Sequence, residues 1–239
     1  QNLIMLDGIT VYNPSHLGGV FSNFIVDGVK EAELIKGAYN AEYGGRLSAV
    51  LNVISREGNR NEFKGKASVS LLSAQTTMEG PFYKGAWVLS GRRTYFDLVL
   101  PRVLPENIAA NIPPYYFYDI QGHIFTDLSP KDRLSLSYYS GVDDIIFDTF
   151  ALNGRWGNNT VSAHYRRVFD ERLVGNFLIA NSKFFTRFGL GGSNGLVSDN
   201  GIDDQTLSGD FSWFRSSEST IKFGGQFKTL GFNYINTFQ

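Results

Sequence analysis

The stretch Asp132-Arg133-Leu134-Ser135-Leu136-Ser137-Tyr138 decides the fold. In an extended chain Leu134, Leu136 and Tyr138 fall on one face and Arg133, Ser135 and Ser137 on the other, because successive side chains of a strand point in opposite directions. The same period of two recurs on both sides of it. Gly65, Ala67, Val69 and Leu71 oppose Lys64, Lys66, Ser68 and Ser70, and Trp87 and Leu89 oppose Ser90, Arg92 and Thr94. Tyr118, Ile120, Gly122 and Ile124 oppose Asp119, Gln121 and His123; Val161, Ala163 and Tyr165 oppose Ser162, His164 and Arg166. Downstream, Leu207, Phe211 and Trp213 oppose Ser208, Asp210 and Ser212, and Ile221, Phe223 and Phe227 oppose Lys222, Gln226 and Lys228.

About nine such strands can be counted, several of them about 10 residues or longer. Strands of soluble proteins have a mode near 5 to 6 residues, whereas a strand tilted across a bilayer needs roughly 9 to 11. The connections add a second signal. Tyr83-Lys84-Gly85, Ser129 to Asp132, Asp170-Glu171-Arg172 and Ser216 to Ser219 are short; Phe96 to Pro114, Asp143 to Asn158 and Gly189 to Asp204 read as long loops. Only the hairpin near Ser73 breaks this alternation. Short turns on one side and long loops on the other are the habit of an outer-membrane barrel, and a Greek-key sandwich has no reason to sort loops that way.

Composition agrees. Of 239 residues, 15% are aromatic, with Phe 20, Tyr 12 and Gly 26, and only 19% are charged, below the usual quarter for soluble domains. Lys+Arg 22 against Asp+Glu 23 gives a formal charge of -1, so no nucleic-acid partner is expected. Cys is 0, which excludes disulfides, thiol nucleophiles and cysteine metal sites. No apolar run approaches the roughly 18 residues of a membrane helix.

Residues 1–62 read differently. Leu3 to Leu6 ends in the turn signal Asp7-Gly8, followed by a second apolar run, Ile9 to Tyr12. Asn13 to Gly19 is a loop by composition, Ile25 to Val29 a helical turn, Glu31 to Lys36 a strand, and Ala49 to Ser55 a β-branched strand closed by Gly58. This is a small α+β unit. A lumen able to hold it requires a barrel of about 22 strands, which residues 63–239 cannot supply at roughly 10 per strand plus loops. The chain opens at Gln1 without a leader and stops at Phe238-Gln239 inside a strand-like run, so the expectation is part of a longer protein. The division is 1–62, the C-terminal part of a plug domain, and 63–239, the first part of a transmembrane antiparallel β-barrel.

Three segments resemble a known family: Asn2-Leu3-Ile4-Met5-Leu6-Asp7-Gly8-Ile9-Thr10-Val11-Tyr12-Asn13-Pro14, Val29-Lys30-Glu31-Ala32-Glu33-Leu34-Ile35-Lys36-Gly37, and Ala41-Glu42-Tyr43-Gly44-Gly45-Arg46-Leu47-Ser48-Ala49-Val50-Leu51-Asn52-Val53. They are similar to the plug signatures of TonB-dependent outer-membrane receptors, in particular those of Bacteroidetes-type bacteria, and Ser90-Gly91-Arg92-Arg93-Thr94-Tyr95 is similar to the early barrel of that subgroup. The resemblance implies a plug in a 22-stranded barrel in the outer membrane of a Gram-negative bacterium. It also implies active uptake of a siderophore, cobalamin, oligosaccharide or peptide. The TonB complex of the inner membrane would grip a box that this chain does not contain.

Chemistry is sparse. No nucleophile elbow, phosphate loop or dinucleotide fingerprint is present, so no enzyme, cofactor or metal site is expected. His16, His123 and His164 lack metal-ligand spacing; His123 and His164 sit on polar strand faces and are expected to hydrogen-bond in a lumen. Asp143-Asp144 with Asp148, and Asp199 to Asp204, read as solvated acidic loops. Tyr95, Phe96 and Tyr115 to Tyr118 read as an interfacial aromatic girdle. Candidate plug–barrel contacts are Asp7, Gly8, Gly44, Gly45, Arg46, Arg56, Glu79 and Arg92. Gly44-Gly45 is expected to serve a tight turn. Arg46 and Arg56 are expected to pair with inward carboxylates such as Glu79 and to hold the plug until transport. A passive porin-like barrel and a soluble β-sandwich adhesin are the alternatives.

Overall fold

The computed structural model describes residues 2–37, 41–44, 48–109, 112–147, 151–191 and 195–238. The sequence periodicity becomes two sheets of unequal size. The small one has the order β2-β1-β6-β5, with β1 Leu3–Leu6, β2 Ile9–Thr10, β5 Val29–Ile35 and β6 Val50–Ser55; β1 runs parallel to β6 and the other pairs are antiparallel. Asp7 and Gly8 both take positive φ, 50° and 83°, which suits the two-residue hairpin joining β1 to β2. β3 Ser15–His16 and β4 Phe21–Ser22 form a separate two-stranded ribbon, and among the described residues of this part the helical structure consists of two 3₁₀ turns, Leu17–Gly19 and Val26–Gly28.

The large sheet is a nine-stranded antiparallel meander, from β7 Lys64–Val69, β8 Ser73–Phe82 and β9 Gly85–Thr94, through β10 Tyr115–Ser129, β11 Asp132–Phe147 and β12 Leu152–Val168, to β13 Leu173–Leu190, β14 Leu196–Ser216 and β15 Ser219–Phe238. Between β9 and β10 lie two short helices, α1 Phe96–Val103 and α2 Glu106–Ala109.

The two faces of this sheet are inverted relative to a soluble protein. Leu89, Leu136, Val161, Ile179, Leu207 and Phe227 on one face are exposed, Ile179 at 60% and Phe227 at 69%. On the other face Ser90, Asp119, Gln121, Thr160, Ser182 and Asp204 are buried. Apolar flanks bare to the surroundings and polar flanks covered by protein is the arrangement of a lipid-facing wall. Near the short turns the outward face carries an aromatic row, with ring centroids 6.1 Å apart for Tyr165 and Phe177, 5.6 Å for Phe177 and Phe211, and 5.3 Å for Phe211 and Phe223. Rings at this level suit the headgroup boundary.

Three readings of the sequence are corrected. Asp143 to Asn158 and Gly189 to Asp204 are strand for most of their length, and β11–β12 and β13–β14 connect through 148–151 and 191–195. Asp148 lies outside the described residues. β14 has 21 residues, about 10 more than a tilted crossing needs, so roughly 33 Å of strand length lies outside the apolar layer. There neither face meets lipid, the alternation fades, and the strand reads as a polar loop. The aromatic cluster is corrected too. Tyr115 and Phe117 share the inward face with Asp119 and are buried, so on β10 only Tyr116 and Tyr118 keep the outward parity of a girdle, and a further aromatic row lies at the opposite end of the sheet.

Candidate functional site

The inward polar face of the large sheet is covered by the small sheet. The core there comprises Leu6, Val11, Phe24 and Val53 with Tyr139 of β11, flanked by Ile4, Val29 and Leu51. Polar contacts then reach this unit from every one of the nine strands. Lys66 of β7 meets Asp27 at 2.7 Å, and Glu79 of β8 meets Arg56. Arg92 of β9 donates to the Ser22 carbonyl at 2.5 Å, and Gln121 of β10 donates to the Gly28 carbonyl and to Ser55 Oγ at 3.2 and 3.1 Å. Asp143 of β11 contacts His16. Asn158 of β12 accepts from the Tyr12 amide at 3.1 Å and donates to the Asn13 carbonyl at 2.7 Å. Ser182 of β13 donates to the Thr10 carbonyl at 2.6 Å, Asp204 of β14 accepts from the Tyr12 hydroxyl at 2.7 Å, and Lys228 of β15 reaches Thr10 Oγ1 at 3.1 Å.

Nine strands laid flat would span roughly 38 Å, whereas a unit of some 55 residues is about 26 Å across. One small unit touching all nine requires the sheet to wrap around it.

The expected site residues distribute as follows. Arg56 Nη2 donates to both carboxylate oxygens of Glu79, at 3.0 and 2.8 Å, and Nη1 donates to the Asp27 carbonyl at 3.0 Å. Arg92 donates through Nε and Nη2 to Asp119 Oδ2, at 2.9 and 2.5 Å, with its guanidinium over the Phe117 ring at 5.1 Å. Asp7 ties the β1–β2 turn to the end of β6 by accepting from the Ser55 amide at 2.8 Å, and its other oxygen lies 3.8 Å from His123 Nδ1. A Cβ on Gly8 would meet Leu178 of β13 at 3.4 Å. Gly44 is not at the contact: open space surrounds it and its φ is not left-handed, so the turn there does not draw on glycine's freedom. Gly45 and Arg46 lie outside the described residues. His123 donates or accepts with Ser137 Oγ at 2.9 Å.

The most completely buried polar cluster was not legible as a site. His16 is 0% exposed. Its Nδ1 lies 2.7 Å from Asp143 Oδ2 and its Nε2 2.8 Å from Asp119 Oδ1, while its ring stacks on Phe117 at 3.9 Å and 7°. The Tyr115 hydroxyl donates to Asp143 at 2.5 Å and the Tyr139 hydroxyl to Asp119 at 3.1 Å. Burial alone would push the imidazole pKa down, but the hydrogen bonds and negative charges of Asp119 and Asp143 outweigh it and hold the pKa above its ordinary value. A signal did exist: Asp119 stands on the polar face of a strand whose other face is apolar, and a carboxylate there must find a partner inside.

Beyond the small sheet the inward face continues upward. Cross-strand partners set Trp156, Thr186, Asn200 and Tyr234 in one row and Asn158, Phe184, Ile202 and Phe232 in the row below. Trp156 stacks on Phe188 at 5.7 Å.

Solved structures with this arrangement exist. Over 97% of its length the chain matches 41% of a mutant of the ferric enterobactin receptor PfeA from Pseudomonas aeruginosa, with TM-score 0.66 and 18% identity. It likewise matches 38% of the siderophore receptor PiuA from Acinetobacter baumannii, covering 97% of itself at TM-score 0.65 and 14% identity. The chain has the siderophore-receptor fold. Its nine-stranded sheet matches part of the barrel of that fold. The copper transporter OprC matches at TM-score 0.53 and 7% identity, over 98% of this chain and 47% of that one. The chain therefore spans between 38% and 47% of the length of these three. No family model and no curated protein matches it.

Proposed function

We propose that this chain forms the plug's second half and the first barrel strands of a TonB-dependent receptor. That receptor imports a scarce nutrient across the outer membrane of a Gram-negative bacterium. The observation that carries the reading is the reach of polar side chains from all nine strands to one small unit, from Lys66 to Lys228. A unit so held blocks the lumen, which a passive channel would not tolerate. Transport then requires these contacts to open, and the energy comes from the TonB complex acting on a box elsewhere in the protein.

In this reading residues 1–62 are plug and 63–239 are wall. Arg56–Glu79 and Arg92–Asp119 with Ser22 keep the plug seated until the energised step. The upper wall at Trp156, Phe184, Phe188 and Tyr234 meets the incoming ligand together with the plug tip at Asn13 and Pro14. The Bacteroidetes-type plug signatures support the same assignment. The named ligands of the structural neighbours, ferric enterobactin and copper, make metal chelates the first class to try.

The test is uptake by cells expressing the full-length protein, with and without TonB. Labelled ferric siderophores, cyanocobalamin and oligosaccharides serve as probes. Accumulation of one probe that vanishes without TonB is expected; uptake equal in both strains overturns the importer reading in favour of a passive barrel.

A further inference from the structure

The His16 cluster invites a question of proton count. A neutral imidazole has one N–H and one lone pair; only imidazolium has two N–H donors. Both ring nitrogens of His16 face carboxylate oxygens, at 2.7 and 2.8 Å, and a lone pair aimed at a carboxylate at that distance is repulsive. The charged groups facing the ring are Asp119 of β10, Asp143 of β11 and, through Asp119, Arg92 of β9; the other titratable neighbours are Tyr115 and Tyr139, both spent as donors to those aspartates. With His16 charged the cluster holds two positive and two negative groups. With His16 neutral it keeps an uncompensated negative charge beside side chains of 0% and 2% exposure.

We infer that His16 is an imidazolium clamp, which fixes the plug-tip ribbon 15–22 to strands β9 to β11 and releases it on losing one N–H proton to water. The ribbon is short, with two paired positions, Ser15 with Ser22 and His16 with Phe21, so little else orders it. Its other polar wall contacts depend on the same residues: Arg92 holds the Ser22 carbonyl while paired to Asp119, and the Leu17 amide points to Asp143 at 3.4 Å; the Phe21 ring also packs on Phe117 of β10 at 5.4 Å. Opening the clamp therefore removes the polar anchorage of the ribbon and leaves it the ring contact of Phe21 with Phe117. The sign follows from the raised pKa. The clamp's contribution is complete below the unfolded value near 6.5 and is lost as pH rises through the higher folded value. The clamp exists independently of the transport reading, which supplies only its consequence, earlier release of the plug.

Two measurements on the full-length protein in detergent test it. With 15N-histidine labelling, both His16 ring nitrogens are expected in the protonated range at pH 7; one unprotonated nitrogen there overturns the inference. Hydrogen exchange of residues 15–22, corrected for intrinsic rate, is expected to stay slow at pH 6 and to accelerate above neutrality. In His16→Gln it should be about 100-fold faster and without that pH step, because a buried ion pair broken on one side leaves its partner unpaired. Asp143→Asn, which keeps the shape and removes one charge, should behave alike and serves if His16→Gln fails to fold. Wild-type protection and pH profile in both variants would overturn the clamp.

Discussion

Arg56→Ala offers a direct probe of how the plug is seated. The Arg56 side chain is 39% exposed and the Glu79 side chain 11%. Removing the arginine leaves a nearly buried carboxylate without the Nη2 group that donates to both its oxygens, at 3.0 and 2.8 Å, and also deletes the bond to the Asp27 carbonyl. Breaking a fully buried pair costs roughly 3–5 kcal/mol and an exposed one roughly 0–1. With one partner open and the other covered, the expected cost is about 2 kcal/mol, or roughly 30-fold in local opening. Glu79→Gln should be milder, about 0.5–1 kcal/mol, because the half-exposed arginine left behind still meets water and the amide oxygen still accepts. The assay is hydrogen exchange over residues 50–58, where the Arg56 amide donates to the Gly28 carbonyl at 2.9 Å. The double variant should fall short of the summed effects by about 1 kcal/mol, since the uncompensated charge is then absent. Equal or inverted single effects, or strict additivity, would refute the pairing as a seat for the plug.

Other outcomes follow from the two-faced wall and from tight backbone contacts. Val161→Lys on the lipid face should cost about 2–4 kcal/mol in bilayer folding, whereas Ser208→Lys on the inward face should stay within about 0.5, both read from the folded fraction in lipid vesicles. Gly58→Ala should cost about 2–3 kcal/mol by denaturant unfolding, because φ is +86° and an added Cβ would press on the Trp87 carbonyl. Trp156→Ala should weaken binding of whichever probe is taken up at least about tenfold while leaving folded yield unchanged, since its ring stacks on Phe188 above the plug.

Much of this architecture could be read without coordinates wherever one flank of a strand meets lipid. Leu134, Leu136 and Tyr138 announce their face because nothing polar is tolerated there, and the sheet pairs them as the alternation requires. The signal fails where a strand leaves the bilayer. Asp143 and Asp204 stand in continuous strands, but each belongs to an acidic pair, Asp143-Asp144 and Asp203-Asp204, that interrupts the alternation, so composition alone reads them as loop. Arg56 and Glu79 could be named as partners because two opposite charges were bound for one lumen. His16 could not, since its partners lie 103 and 127 residues away and its own surroundings, Asn13 to Gly19, have the composition of an exposed turn. Tyr115 and Phe117 mislead for a related reason: aromatic residues at a strand end suit either an interface or a packed interior, and only their shared parity with Asp119 decides.

The central claim is that the apolar flanks of this wall face lipid while a folded plug fills the polar side. Because the chain has Cys 0, single cysteines at 205 to 211 of β14 can each carry one environment-sensitive label. In vesicles containing spin-labelled lipid, quenching should alternate, strong at 207, 209 and 211 and weak at 206, 208 and 210. Uniform quenching along the strand, or strong quenching at 206, 208 and 210 instead, would contradict the account.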